Sequence, residues 1–282
     1  MTDAWMYNNY CDWIQHGCEE NLQVKYLLLN NNYLTELSEN IDKLKNLKKI
    51  VVSKNKLINL PDNLFLLTHL IDLHLEQNLL TNISLKIGNL KKLKYLNCDC
   101  NKIKFLPETL GNLINLRSLY CNNNEIIYLP KTIINLIKLE DLFCENNKIK
   151  YLPRMFCNLI NLNRLRCCNN FIIKLPVNIH MLKKLEYIYI FNNKLKTLPV
   201  NIIKCKNLTY LGIDDAIEYI LPNVKRFIYN IQRNIHVKNI YYDNQNVHDI
   251  DIHKSLDDSI NNLLSNKQIL KYYGNILLKM IL

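Results

Sequence analysis

LRSLYCNNNEIIYLPKTIINLIKLEDLFCENNKIKYLPRMFCNLINL, residues 116–162, states one pattern twice. Asn124 and Asn147 stand in register 23 residues apart, and the same interval separates Asn32, Asn55, Asn78, Asn101, Asn124, Asn147, Asn170 and Asn193. Around each asparagine the chain reads L-x-x-L-x-L-x-x-N-x-L-x-x-L-P-x-x-I-x-x-L, with Ile, Val, Phe or Cys in some leucine places. An uninterrupted period of roughly 20–29 residues is the mark of a solenoid, in which each coil buries its apolar side against its neighbours. Leu119 and Cys121, two apart, share one face of a short strand, while Ser118, Tyr120 and Asn122 point the other way. The asparagine falls where the chain turns out of the strand, and its amide can donate and accept for backbone groups inside the stack. Pro130 fixes φ and lacks an N–H, which suits the turn into the returning arm. Ile133, Leu136 and Leu139 then pack that arm beneath the sheet, at a spacing suited to a loose or 3₁₀-like turn.

Over residues 22–222 these motifs resemble the leucine-rich-repeat family, in its 23-residue LPxxI class. The resemblance implies an α/β fold: a curved solenoid with a concave parallel β-sheet and short 3₁₀, helical or extended segments on its convex side. Three regions follow. Residues 1–21 form a helical N-terminal cap, with Trp5, Met6, Trp13 and Ile14 as its apolar side. Residues 22–222 hold eight regular coils and an irregular ninth, which keeps Leu208, Leu211 and Ile213 but has Ala216 where asparagine belongs. Residues 223–282 form an α+β tail that either caps the array or docks elsewhere. In it Val224, Phe227, Ile228 and Ile231 have helical spacing, 237–252 reads as extended, and two helix signals follow, from Ser255 and over 269–282. The Asn-, Ile- and Lys-rich composition and the segment from Asp243 to His248 are similar to leucine-rich-repeat proteins of giant amoeba-infecting DNA viruses. That implies a host-directed or virion-associated binding protein.

Catalytic chemistry finds no support. The chain has no G-x-x-x-x-G-K, G-x-G-x-x-G, G-x-S-x-G or H-E-x-x-H. No catalytic residue, metal site or cofactor is expected, and the chain reads as a non-enzyme. Cys98, Cys121, Cys144 and Cys167 occupy one template position and should stack as a column, roughly 4.7–4.9 Å apart. A metal or redox ladder is one reading. Small apolar fillers of leucine sites is the favoured one, since a column on one sheet face cannot converge tetrahedrally on zinc. Cys100 and Cys168 are expected near the strand ends and more exposed. The N-terminus shows neither a basic n-region nor an apolar h-region, and no run nears the roughly 18 apolar residues of a membrane span. The expectation is an intracellular, cytoplasmic monomer with reduced thiols, in host cytoplasm or virion on the viral resemblance.

Function is expected on the outward side of the strands. Counting six, four and two residues back from each asparagine gives those side chains. Coils three to six present Asp72, His74 and Glu76; Tyr95, Asn97 and Asp99; Ser118, Tyr120 and Asn122; and Asp141, Phe143 and Glu145. Coils seven to nine present Arg164, Arg166 and Cys168; Tyr187, Tyr189 and Phe191; and Tyr210, Gly212 and Asp214. Aromatics crowd the later coils around the two arginines, and both residue types anchor protein interfaces. The plainer reading is that aromatics pair across neighbouring strands. The outward acids Asp72, Glu76, Asp99, Asp141, Glu145 and Asp214 outnumber the bases Lys49, Arg164 and Arg166, although the whole chain carries +11. The lysines lie on the rims, Lys91, Lys92 and Lys94 before a strand and Lys102 and Lys104 after an asparagine. The expected partner is therefore a protein, from a host or a complex. Nucleic-acid or acidic-surface binding by the lysine rims is the alternative, disfavoured for want of an arginine cluster, and an adaptor docking through the tail is a third. A membrane partner is not expected.

Overall fold

Each coil builds one three-residue strand, because only the residue at the strand centre and the one two positions later need share the inner face. The computed structural model describes residues 3–214, 217 and 219–239, with side chains as far as 232. The strands are β1 (Ala4–Trp5), β2 (Tyr26–Leu28), β3 (Lys49–Val51), β4 (Asp72–His74), β5 (Tyr95–Asn97), β6 (Ser118–Tyr120), β7 (Asp141–Phe143), β8 (Arg164–Arg166), β9 (Tyr187–Tyr189) and β10 (Tyr210–Gly212). They form one parallel sheet in sequence order. Register advances by the repeat itself: Leu119 opposes Leu142, which opposes Leu165, which opposes Ile188. All four are fully buried.

The returning arms are 3₁₀ turns, as at Glu108–Asn112 and Lys131–Asn135. In six of the coils the residue capping them stands at one template place. Pro61, Pro107, Pro130 and Pro199 stand there in four coils. In the first and third coils Ser38 and Ser84 replace proline, and each hydroxyl accepts from a backbone N–H two residues on. Gly111 permits a close approach of two arms: a Cβ there would lie 2.5 Å from the carbonyl oxygen of Thr132. Ile133, Leu136 and Leu139 are fully buried under the sheet.

The asparagines tie coil to coil. Asn124 Oδ1 accepts from Ile103 N–H at 3.0 Å, and its Nδ2 donates to the carbonyls of Cys98 at 2.9 Å, Cys121 at 3.3 Å and Asn122 at 3.0 Å. The same set repeats at Asn78, Asn101, Asn147 and Asn170. One side chain thus satisfies buried backbone groups of two coils, each of which would cost about 1–3 kcal/mol if orphaned. The residue before each ladder asparagine is left-handed: Asn31, Lys54, Gln77, Cys100, Asn123, Asn146, Asn169 and Asn192 have φ between 52° and 61°. The two outermost ladder members, Asn32 and Asn193, are only half-buried.

Both ends depart from the template. At the N-terminus β1 pairs with β2, an added strand that the helical-cap expectation lacked. The helix α1 (Tyr7–Gln15) turns Tyr10 and Trp13 inward. Met6 and Ile14 are exposed, so the apolar side is Trp5, Tyr10 and Trp13 rather than the expected set. Tyr10 is held by its hydroxyl, which accepts from Ser38 N–H at 2.7 Å. Burial pushes that phenol up to about 12.

At the other end the ladder stops at Asn193. In coil seven, Asn169 N–H and Asn170 N–H donate to the backbone carbonyls of Phe191 and Asn192. In coil eight, the Asp214 carboxylate takes that place, accepting from Asn192 N–H at 2.7 Å and Asn193 N–H at 3.2 Å. The helix α2 (Pro222–Asn239) then buries Val224, Ile228 and Ile231. It includes 237–239, expected as extended. Ala216, the rest of that extended stretch and the helix signals from Ser255 and over 269–282 lie outside the described residues. No helix among the described residues is long and apolar enough to cross a membrane.

Candidate binding face

Outward side chains stand on a sheet whose neighbouring strands are about 4.8 Å apart, so each touches its counterparts in the next coils. From β4 to β10 this produces one continuous row. His74 stacks on Tyr95 at 4.6 Å between ring centroids, and Tyr95 meets Tyr120 edge-on at 5.2 Å. Tyr120 meets Phe143 edge-on at 4.6 Å. The Arg166 guanidinium lies between the Phe143 and Tyr189 rings, 4.7 Å from each. Tyr189 stacks on Tyr210 at 4.4 Å. Gly212 makes room for this last pair, since a Cβ there would lie 3.0 Å from the Tyr210 ring.

Ordering the row hides part of it. Phe143 is 9% exposed yet stands apart from the inner core. Tyr120, Arg164 and Arg166 cover it from the open side. Asp141 is buried too, because Arg164 grips both its oxygens, Nε to Oδ1 at 2.6 Å and Nη2 to Oδ2 at 2.8 Å. Ser118 Oγ donates to the same carboxylate at 3.2 Å. Phe143 and Asp141, both expected as contact residues, therefore position the two arginines rather than present surface. Of Cys100 and Cys168, both expected to be more exposed than the cysteine column, Cys100 is half-buried, but Cys168 is only 1% exposed.

Asp72, His74, Glu76, Tyr95, Asp99, Tyr120, Glu145, Arg164, Arg166, Tyr187, Tyr189 and Tyr210 are half-buried, and Phe191 is more exposed. Burial pushes the phenols of Tyr95, Tyr120, Tyr189 and Tyr210 upward, so they remain neutral donors at ordinary pH.

The strand ends carry carboxylates. Asp99 accepts from Asn122 N–H at 2.6 Å and Asn122 Nδ2 at 3.2 Å, and Asn122 Oδ1 accepts from Glu145 N–H at 2.8 Å. Burial raises Asp99 to about 6 against those hydrogen bonds, with Glu76 and Glu145 adding to the effect. Burial also raises Glu145, which Arg166 partly opposes. His74 Nδ1 lies 3.9 Å from Glu76, and burial outweighs that carboxylate, lowering the imidazole. Asp214, counted among the outward acids, has its carboxylate committed to the end of the asparagine ladder.

The cysteine column is in the core. Cys98, Cys121, Cys144 and Cys167 are fully buried, and Cys98 and Cys121 donate weakly to the carbonyls of Tyr120 and Phe143. Burial raises all four thiols far above their ordinary range, which leaves them unreactive small apolar residues. Among the described residues no His, Cys, Asp and Glu side chains gather three or more around a metal position.

Sequence reasoning overlooked two features. His74 and Tyr95, expected to point outward, also join the aromatic row and extend it two coils further than the crowded aromatics indicated; their 21-residue separation could have placed them side by side. A second asparagine set, Asn46, Asn115, Asn161 and Asn207, donates to carbonyls one coil back. Lysine or histidine occupies the intervening places, which conceals the period. On the rims Lys148 pairs with Glu125 at 2.9 Å and Lys45 with Glu20 at 2.7 Å, so the lysine edges are mixed in charge.

Residues 78–170 match the family described as a leucine-rich repeat region. Among curated proteins no sequence matches the chain. Among solved structures, a leucine-rich-repeat protein of Leptospira interrogans superposes with a TM-score of 0.65 at 28% identity, over 80% of this chain and 62% of that one. The plant peptide hormone receptor RGFR1, solved in complex with RGF2, gives 0.63 at 25% identity, over 68% of this chain and 32% of the receptor. The chain thus spans less than two thirds of either protein's length. The repeat domain of the type III effector XopL gives 0.57 at 25% identity, over 67% of this chain and 69% of that one. Among the described residues, ten parallel strands, 3₁₀ returning arms and an asparagine ladder at a 23-residue period give this chain the fold of a leucine-rich-repeat solenoid.

Proposed function

We propose that the chain is a non-catalytic scaffold that captures a protein partner on the open face of its sheet. The observation that supports this is the row from His74 to Tyr210, aromatic throughout except for a guanidinium held between two rings. Aromatic and arginine side chains fixed by their neighbours lose little freedom on binding, which is the property of interface anchors. Tyr120, Arg166 and Tyr189 are those anchors, with Phe143 beneath them, Tyr187 on the same strand as Tyr189 and Phe191 just past its end. The plant structural neighbour is a peptide hormone receptor in complex with RGF2, and leucine-rich-repeat domains are commonly interaction scaffolds. Free thiols at all ten cysteines support work inside a cell. Read with the viral resemblance, the partner is a host or virion protein.

The test is a pull-down from cell lysate with the wild type and with a triple Arg166→Ala, Tyr187→Ala, Tyr189→Ala variant shown to be folded by circular dichroism. Loss of the captured protein by the variant is expected. Equal capture by both forms contradicts the proposal.

A further inference from the structure

The open face divides its charge. Toward coils three to six lie Glu76, Asp99 and Glu145, all at the same outward strand-end position. Among the described residues none of the three has a lysine or arginine within ion-pair distance, and Glu76 has only His74 Nδ1, at 3.9 Å. In coil seven the two arginines differ. Arg164 is committed to Asp141. Arg166 forms no ion pair among the described residues and lies between the Phe143 and Tyr189 rings. The buried side-chain polar atoms without a hydrogen-bond partner among the described residues are Glu76 Oε2, Arg166 Nε and His180 Nδ1, and the first two belong to this face. Buried polar atoms nearly always have a hydrogen-bond partner, so two without one, Arg166 Nε within the aromatic row and Glu76 Oε2 at its end, mark a surface with hydrogen-bonding capacity to spare.

Resting on the scaffold reading above, we infer that the partner segment is an extended, dipolar peptide: a basic side chain set against Glu76, Asp99 and Glu145, and a carboxylate set against Arg166, with apolar or aromatic residues between them over Tyr120. The separation follows from the lattice. Asp99 and Arg166 stand three coils apart, about 14 Å at roughly 4.8 Å per strand, and an extended peptide covers that in about four residues at ~3.3 Å each. Residues four apart in an extended chain also face the same side. Burial of Asp99 and Glu145 strengthens the pairing, because a cation brought to a partly dehydrated carboxylate meets less screening than at an open surface.

The experiment is selection of a phage-displayed random decapeptide library on the immobilised full chain, with Asp99→Asn and Arg166→Gln variants selected in parallel. The wild type is expected to enrich peptides with Lys or Arg about four residues from Asp, Glu or a free C-terminus. Asp99→Asn should lose the basic preference and keep the acidic one; Arg166→Gln should do the reverse, each weakening the selected peptides at least tenfold. Enriched peptides without that charge pair, or with the same pair on both variants, overturn this inference and leave the scaffold reading standing. No enrichment on a folded wild type counts against both.

Discussion

The two faces of one strand obey different rules. In β7, Leu142 points inward and is fully buried against Leu119 and Leu165, and its place admits only leucine or isoleucine from β2 to β10. One position away Phe143 points outward, and its place holds leucine, valine, histidine, asparagine, tyrosine, phenylalanine, arginine, tyrosine and glycine in turn. The inner face is constrained by packing, where each coil must fit the one before. The outer face is constrained only by contact with neighbours along the row, so it is free to carry recognition. A residue on the inner face should matter to stability and hardly to binding; one on the outer face should do the opposite.

The largest effect expected from breaking that contrast is at the centre of the inner face. Leu142→Ala should lower unfolding stability by about 2–5 kcal/mol, the range for a fully buried leucine. Chemical denaturation measures it. A loss under about 1 kcal/mol would mean that the coil relaxes into the space or that the core is looser than described.

Next is the ladder. Asn124→Ala leaves Ile103 N–H and the carbonyl of Cys98 without that partner. About 2–3 kcal/mol should be lost, with exchange of the Ile103 amide accelerated. Protection of that amide unchanged in the variant would show that it has another partner.

The smallest effect belongs to the outer face and has a sign. Asp99 titrates near 6 when folded, against 3.8 for the free group, so the folded chain binds more protons than the unfolded chain between those values. Ionised, it is a burden on the fold above pH 6. That burden is relieved as pH falls through 6 and is absent below 3.8, where both states are protonated. Stability should therefore rise by about 1–2 kcal/mol from pH 7.5 to pH 4.5 on account of this group. Asp99→Asn should flatten that rise. An equal rise in the variant would assign the effect to another group.

How much of this was legible in the sequence depends on which face is asked. Leucine, asparagine and proline recur because their environment recurs, so strand register, arm and ladder could be read from the period alone. The left-handed residues beside the ladder could not, since Lys54, Gln77 and Cys100 occupy a place that asparagine fills elsewhere. Nor could the ends: Asp214 reads as an outward acid, yet its carboxylate accepts from the Asn192 and Asn193 N–H groups where other coils use backbone carbonyls. On the open face the sequence identified which side chains point outward but not which ones cover others. Phe143 and Asp141 look like contact residues by position and become supports once Arg164 and Arg166 fold over them.

The alternation of faces is best tested by thiol labelling at two adjacent positions. Ile188 is fully buried and Tyr189 half-exposed in β9. In native protein treated with iodoacetamide and read by peptide mass spectrometry, Tyr189→Cys should label quickly, while Ile188→Cys should stay protected until unfolding, as Cys121 and Cys144 should in both variants. Rapid labelling at position 188 with protection at 189 would contradict the account.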